Sequence, residues 1–395
     1  MLSERARGIK PSATLAIDTK AKELKAQGVD VVGFGAGEPD FDTPDNIKRA
    51  AIDAINKGFT KYMPVDGIPE LKDAIILKLK RDNGIEYARD EIIVSVGAKH
   101  ALFNIALAMI DPGDEVIIPT PYWVSYPEMF AVAGGKPVFV KTSEKDNFAL
   151  GPAAVEKAIT KKTKMLLINS PGNPSGAVYP RKVLEEIAEV VRKHNLFVVT
   201  DDIYEKLIYD GEKFFTIAQA KDMKSRTLLV HGVSKTYAMT GWRIGFTAGP
   251  KDIIKGMKNI QSQSTSNPTS IAMKASVEAL SGPQESVSKM VTEFDRRRKF
   301  IVEGLNRING IRCITPKGAF YAFPNVSALY TKKFKGKAIK DSFGFADYLL
   351  DQAKVALVPG APFGAEEHVR LSYAISLEMI KKGLERIDQA VMMLE

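Results

Sequence analysis

The chain has 395 residues, 45% hydrophobic and 26% charged, with 56 lysines and arginines against 47 aspartates and glutamates and a formal charge of +9. That length exceeds one simple core and points to a two-domain globular protein. No apolar run reaches the roughly 18 residues of a membrane span, and the opening M-L-S-E-R-A-R has no apolar signal core, so a cytoplasmic protein without a membrane partner is expected.

The one cysteine, Cys313, excludes an internal disulfide. His100, His194, His231 and His368 form no metal-ligand spacing with one another or with Cys313, and no metal is expected. The basic excess and the run R-R-R-K at 296–299 raise the question of nucleic acid. That run sits in V-T-E-F-D-R-R-R-K-F-I-V-E-G-L, where apolar residues recur at helical spacing, so its charges are expected on a solvated helix face. Nucleic acid is not an expected partner; anionic small molecules suit the charge at least as well.

In chain order, T-P-D-N-I-K-R-A-A-I-D-A-I predicts a helix with Thr43 as N-cap, Pro44 at its first position and Gly58 as its stop. Strands are predicted at I-I-V-S-V (92–96), E-V-I-I-P (115–119), K-P-V-F-V (136–140), K-M-L-L-I-N (164–169), L-F-V-V-T (196–200) and T-L-L-V (227–230). Helical segments at 98–109, 122–133, 152–160 and 181–194 separate most of them. Continuously apolar strands alternating with helices predict an α/β fold, a mostly parallel sheet covered on both faces, with its ligand beyond the carboxyl ends of the strands. After residue 280 come a long helix, C-I-T-P-K-G-A-F-Y-A-F, a helix at 341–353 and V-A-L-V-P-G, a smaller α+β domain. The expected division is an N-terminal segment (1–44) packing with the small domain, a large domain (45–285) and a small C-terminal domain (286–395).

Four polar groups fall at the predicted strand ends. G-A-K-H after 92–96 opens a helix whose free N–H groups suit a phosphate, and Gly97 allows close approach. N-S-P-G-N-P-S-G after 164–169 presents Asn173, and D-D-I-Y after 196–200 places Asp201, Asp202 and Tyr204. After 227–230 comes G-V-S-K-T-Y-A-M-T-G-W-R-I-G, with Lys235 between apolar runs that read as buried. A desolvated lysine is a better nucleophile towards carbonyls. Pyridoxal 5′-phosphate needs such a set: Lys235 for its aldehyde, Asp201 for its ring nitrogen, Asn173 and Tyr204 for its phenolic oxygen, and Gly97, Ala98, Ser234 and Arg243 for its phosphate. The freed lysine can also carry a proton to and from the substrate Cα.

Taken together, K-P-S-A-T (10–14), A-G-E-P-D-F-D-T-P (36–44), K-Y-M-P-V-D-G-I-P-E-L (61–71), P-Y-W-V-S-Y-P (121–127), N-S-P-G-N-P-S-G (169–176), S-K-T-Y-A-M-T-G-W-R-I-G (234–245) and H-V-R-L-S-Y-A (368–374) resemble the fold-type-I, class-I aminotransferases, in the subgroup of bacterial aspartate aminotransferases. The resemblance runs almost the whole length. It implies that Trp123 stacks on the cofactor ring, that Tyr62 reaches the phosphate of a neighbouring subunit in a homodimer with shared sites, and that Arg370 grips the substrate α-carboxylate. Gly37 would lie near that carboxylate, on a mobile N-terminal segment. Gly232 departs from the pattern, because relatives often carry a phosphate-binding serine there; Ser234 or backbone groups would then do more of the anchoring.

Aspartate and glutamate bring a second carboxylate. The resemblance implies Lys99, beside the phosphate cradle, as its partner, and Lys10, Thr14 and Lys99 as the set associated with prephenate. The expected reaction moves the amino group of L-aspartate or L-glutamate to 2-oxoglutarate or oxaloacetate by a ping-pong route, with prephenate as a further acceptor giving arogenate. The same fold also serves aminotransferases for aromatic amino acids, alanine or kynurenine, carbon–sulfur lyases and cyclopropane-forming synthases, which remain open at this point. The G-F-G-A-G at 33–37 is a weak dinucleotide signal without its acidic residue, and reads better as substrate-loop glycines.

Overall fold

The apolar runs between residues 92 and 248 assemble into one sheet. A computed structural model describes residues 1–11 and 13–395; Ser12, inside K-P-S-A-T, lies outside the described residues. The strands are β1 (Ile92–Ser95), β2 (Glu115–Thr120), β3 (Lys136–Lys141), β4 (Thr163–Asn169), β5 (Phe197–Asp201), β6 (Thr227–Gly232) and β7 (Gly245–Ala248). Their order is β1-β7-β6-β5-β4-β2-β3, and every pairing is parallel except those of β7, which runs against both β6 and β1. Six of these strands match the sequence expectation closely. β7 was hidden in W-R-I-G-F-T-A-G, and its reversal brings its first residue to the carboxyl edge.

The helices that matter here are α1 (Asp45–Asn56), α2 (Ala98–Met109), α3 (Ser125–Val132), α4 (Arg181–Lys193) and α5 (Glu285–Arg307). Neighbouring residues along β2 and β4 face opposite sides of the sheet. Val116, Ile118, Met165 and Leu167 pack with Leu102 and Ile105 of α2, whereas Ile117, Leu166 and Ile168 pack with Leu184 and Ile187 of α4. Burial on both faces is why these strands read as unbroken apolar runs. At about 1.5–3 kcal/mol for each fully buried aliphatic side chain, this interior is a principal source of stability.

Helix α1 departs from its predicted start. It begins at Asp45 with Pro44 in the capping position, and no side chain caps it. The Thr43 hydroxyl instead donates to Ala238 O (2.7 Å) and accepts from Trp242 Nε1 (3.0 Å), tying the N-terminal segment to the loop between β6 and β7. The helix predicted at 341–353 is an α-helix over Ser342–Tyr348 continued by one π-helical turn, Leu349–Ala353.

Beyond α5, β8 (Tyr321–Ala322), β9 (Val358–Pro359) and β10 (Val369–Ser372) form a small antiparallel sheet in the order β9-β10-β8. The N-terminal segment joins it: Val32–Gly33 pairs in parallel with Val355–Ala356, and Val32 and Phe34 share a core with Phe320, Tyr321, Leu357 and Leu371. Among the described residues no helix is long and apolar enough to cross a membrane.

The R-R-R-K run corrects the expectation of a solvated face. Arg296 and Lys299 are exposed, but Arg297 and Arg298 are buried. Each helical residue turns by about 100°, so four consecutive side chains cannot share one face. Arg297 bonds Asp40 (2.7 Å) and Glu293 (2.9 Å). Arg298 bonds Asp210 and Asp295, each at 2.6 Å, donates to Pro316 O at 2.8 Å, and lies 4.7 Å from the Tyr209 ring centre. Arg298→Ala should therefore cost about 3 kcal/mol of unfolding free energy by denaturant titration. Arg296→Ala should leave the unfolding midpoint where it is.

Candidate active site

The strand ends converge on a cavity of about 440 Å³. β4 delivers Asn169 and the turn carrying Asn173, β5 delivers Asp201 and Tyr204, and the loop after β6 delivers Ser234 and Lys235. Ala98 and Lys99 enter from the start of α2, Trp123 from just ahead of α3, Arg243 from just ahead of β7, and Arg370 from β10. The N-terminal segment closes one side with Thr14, Gly35 and Gly37.

Backbone geometry lets three segments meet closely at one end of this cavity. Gly97 has φ +85°, a conformation that L side chains rarely adopt, and a Cβ there would lie 2.5 Å from Arg243 Nη2. A Cβ on Gly245 would stand 2.2 Å from Ala98 N, so β7 and the start of α2 touch only because both glycines lack side chains. Arg243 itself holds φ +58°, and its Nη1 donates to Thr240 O (2.7 Å). At Gly232 a Cβ would approach Ile244 O to 2.8 Å, so in this chain the backbone occupies the room a serine would need.

The ionisable groups are desolvated but not neutralised. The Asp201 carboxylate accepts from Tyr126 OH (2.7 Å) and Ile203 N–H (3.3 Å), and burial pushes its pKa up to about 6. Lys235 donates to Gly37 O; burial, reinforced by the charges of Arg243 and Arg370, lowers its pKa to about 8. Burial also lowers Lys99, whose Nζ stands 4.9 Å from the Trp123 ring centre. Arg370 donates to Asn173 Oδ1 (3.0 Å) and Gly35 O (2.7 Å) and stacks 4.7 Å from the Tyr321 ring centre, while its buried Nε has no partner.

Most of the residues singled out from the sequence are brought together here. Two are not. Lys10 is exposed and lines a larger adjoining cavity of about 1040 Å³, which shares Lys99 and Arg243 with the first. Tyr62 is 90% exposed and touches neither cavity. Sequence reasoning passed over Tyr126, Asn169 and Tyr321. Asn169 Nδ2 donates to Asp201 O (2.8 Å) while its Oδ1 accepts from Asn173 N–H (2.9 Å), and Tyr321 OH bonds Tyr204 OH (2.8 Å). Asn169 and Tyr126 stood inside N-S-P-G-N and P-Y-W-V-S-Y-P, and Tyr321 three residues after Gly318 in P-K-G-A-F-Y, so only their place beside other site residues marked them.

The model of the family "Aminotransferase class I and II" matches residues 29–387. The chain belongs to the class I and II aminotransferases. An aspartate aminotransferase of Bacillus sp. (strain YM-2) is 50% identical to this aminotransferase over 392 residues, covering 99% of both chains. A probable aspartate/prephenate aminotransferase of Rickettsia felis is 52% identical, covering 99% of this chain and 96% of the relative. The solved aspartate aminotransferase of Rhizobium meliloti superposes with a TM-score of 0.97 at 47% identity over the whole of both chains.

Class I aminotransferases depend on pyridoxal 5′-phosphate. The residues present fit that group: an amine whose ordinary charge is disfavoured, a buried carboxylate, and a glycine at position 97 where any side chain would strike Arg243. In the cofactor-free aminotransferase, Lys235 should react with acetic anhydride with a midpoint near pH 8, because the reactive neutral amine forms above that pH. Peptide mass spectrometry across pH 6–11 would read it; a midpoint near the ordinary lysine value of about 10.4 would contradict the desolvated site.

Proposed function

We propose that this aminotransferase moves the amino group of L-aspartate or L-glutamate to 2-oxoglutarate or oxaloacetate in two alternating half-reactions, and that it also aminates prephenate to arogenate. Arg370 carries the reading. It is a desolvated guanidinium in the same cavity as Lys235, its Nη atoms face neutral oxygens, and its Nε has no partner. Such a fork suits a carboxylate in a paired hydrogen bond, which lysine does poorly.

Bound pyridoxal 5′-phosphate supplies an aldehyde and a ring that takes up the electrons of the broken Cα–H bond. Lys235 Nζ would hold it and, when not engaged with it, would accept the Cα proton and return it in the reverse half. Asp201 would hold a proton at the ring nitrogen, Trp123 would pack against the ring, and Asn173 and Tyr204 would bond the phenolic oxygen. Gly97, Ala98, Lys99, Ser234 and Arg243 would cradle the phosphate, and Gly37 would line the approach of the substrate carboxylate. Lys99 also meets the second carboxylate, with Thr14 and Lys10 beside it; its place at the junction of the two cavities supports room for a bulkier dicarboxylate. The names of the Bacillus and Rickettsia relatives support these substrates.

The same reading assigns the cofactor to residues 45–285 and domain closure to 286–395 together with 1–44. It makes the enzyme a homodimer in which Tyr62 of a second copy reaches the cradle; the exposure of that tyrosine in a single chain supports this.

Lys235→Ala should abolish turnover and the visible absorbance of bound cofactor. Arg370→Lys should raise KM for every amino acid and lower kcat/KM by about 2–4 kcal/mol in transition-state terms. To test the acceptor, the enzyme is converted to its amine-bearing cofactor form with L-aspartate, freed of excess, and given prephenate. Return of the aldehyde-form absorbance is expected; return with 2-oxoglutarate alone would restrict the enzyme to aspartate chemistry. Release of pyruvate or ammonia without an acceptor would point to a lyase.

A further inference from the structure

Resting on that reading, we infer that Tyr126 is a positioning residue that orients two protein partners of the cofactor ring at once: its hydroxyl holds Asp201 and its ring braces Trp123. The residue is 1% exposed, in the first turn of α3. Its OH donates to Asp201 Oδ2 at 2.7 Å. Its ring meets Trp123 edge-on, with centres 5.3 Å apart at 85°. Because Tyr126 N–H also donates to Trp123 O (3.0 Å), one backbone turn joins the two residues just as α3 begins.

The surroundings leave the phenol little freedom. Tyr126 belongs to the buried apolar cluster that includes Ile93, Val116, Met165 and Val199, and its hydroxyl bonds Asp201. Burial and the nearby Asp201 charge raise the phenol well above its ordinary pKa, so it remains an O–H donor across the working pH range. Around Asp201 stand Asp202 and Tyr204 on its own turn, Lys235 on the loop after β6, and Tyr126 on α3. Asp202 is engaged by Thr200 Oγ1 (2.6 Å), and Tyr204 by Tyr321. The remaining donor to Asp201, Ile203 N–H, is long at 3.3 Å. Tyr126 is thus the principal donor favouring the carboxylate over the acid. A carboxylate so stabilised is a weaker base and leaves the shared proton on the ring nitrogen.

The test uses the holoenzyme and Tyr126→Phe, which deletes the oxygen and keeps the ring against Trp123. Spectrophotometric titration of the bound cofactor should show its midpoint rising by about 0.5–1 pH unit, since a less protonated ring withdraws fewer electrons from the linked nitrogen. The ¹⁵N signal of ring-labelled cofactor should move towards the unprotonated position. kcat should fall about tenfold with KM for L-aspartate within about twofold. Replacing Tyr126 with 3-fluorotyrosine, a stronger donor of nearly the same shape, should move the midpoint down, and covers the case in which the phenylalanine variant fails to fold. An unchanged midpoint and ¹⁵N signal in a folded variant would overturn the inference, as would a loss of thermal stability or a rise in KM alone. A wild-type protein that takes up no cofactor would instead overturn the functional reading, and the inference with it.

Discussion

Asp201, Lys235 and Arg370 are kept out of water without being paired to one another, and the carboxyl edge of the sheet is arranged around that constraint. Each is bonded to something neutral: a phenol and an amide for Asp201, a backbone carbonyl for Lys235, a side-chain amide and a carbonyl for Arg370. Desolvating an ionised group costs several kcal/mol, and an internal ion pair would offset much of it. Here that relief is withheld, and the doubly covered sheet carries the cost. The groups consequently keep their capacity for partners that come from outside the chain.

The part of this arrangement legible in the sequence was the part written in local patterns. β4 and β5 announced themselves because burial on both faces forbids polar residues, and Asn173, Asp201 and Lys235 followed because each stands in the polar stretch that closes an apolar run. Tyr126 gave no such signal: an aromatic residue at the start of a helix reads as core, which its ring is, and only the fold reveals that its oxygen meets a strand 75 residues later. Thr43 misled for a related reason. Threonine before proline has a local use as a cap, but here two long-range bonds won. Arg297 and Arg298 were misplaced because a run of like charges suggests a surface, whereas their acidic partners include Asp40 and Asp210, invisible to any window on α5.

Those same long-range contacts give the N-terminal segment a definite place. Glu38 accepts from Thr240 Oγ1 (2.7 Å), Gly37 O from Lys235, and Asp40 from Arg297, while Gly35 O receives Arg370. Residues 34–44, which hold no helix or strand, are therefore fixed to the loop after β6, to α5 and to β10. Gly37 serves close approach, since a Cβ there would stand 3.1 Å from Tyr321 OH.

The reversed strand β7 has a different kind of consequence. Because it runs against β6, the residues leaving one strand and entering the other belong to a single short loop, so Lys235 and Arg243 reach the same edge from one contiguous cassette. The crossovers between the parallel strands contain helices whose surface turns can lengthen or shorten without moving a strand end. The segment 233–244 has no such slack. An inserted or deleted residue there would displace Lys235 and Arg243 together, so among variants of this chain the length of that loop should be held far more tightly than the lengths of the connections around it.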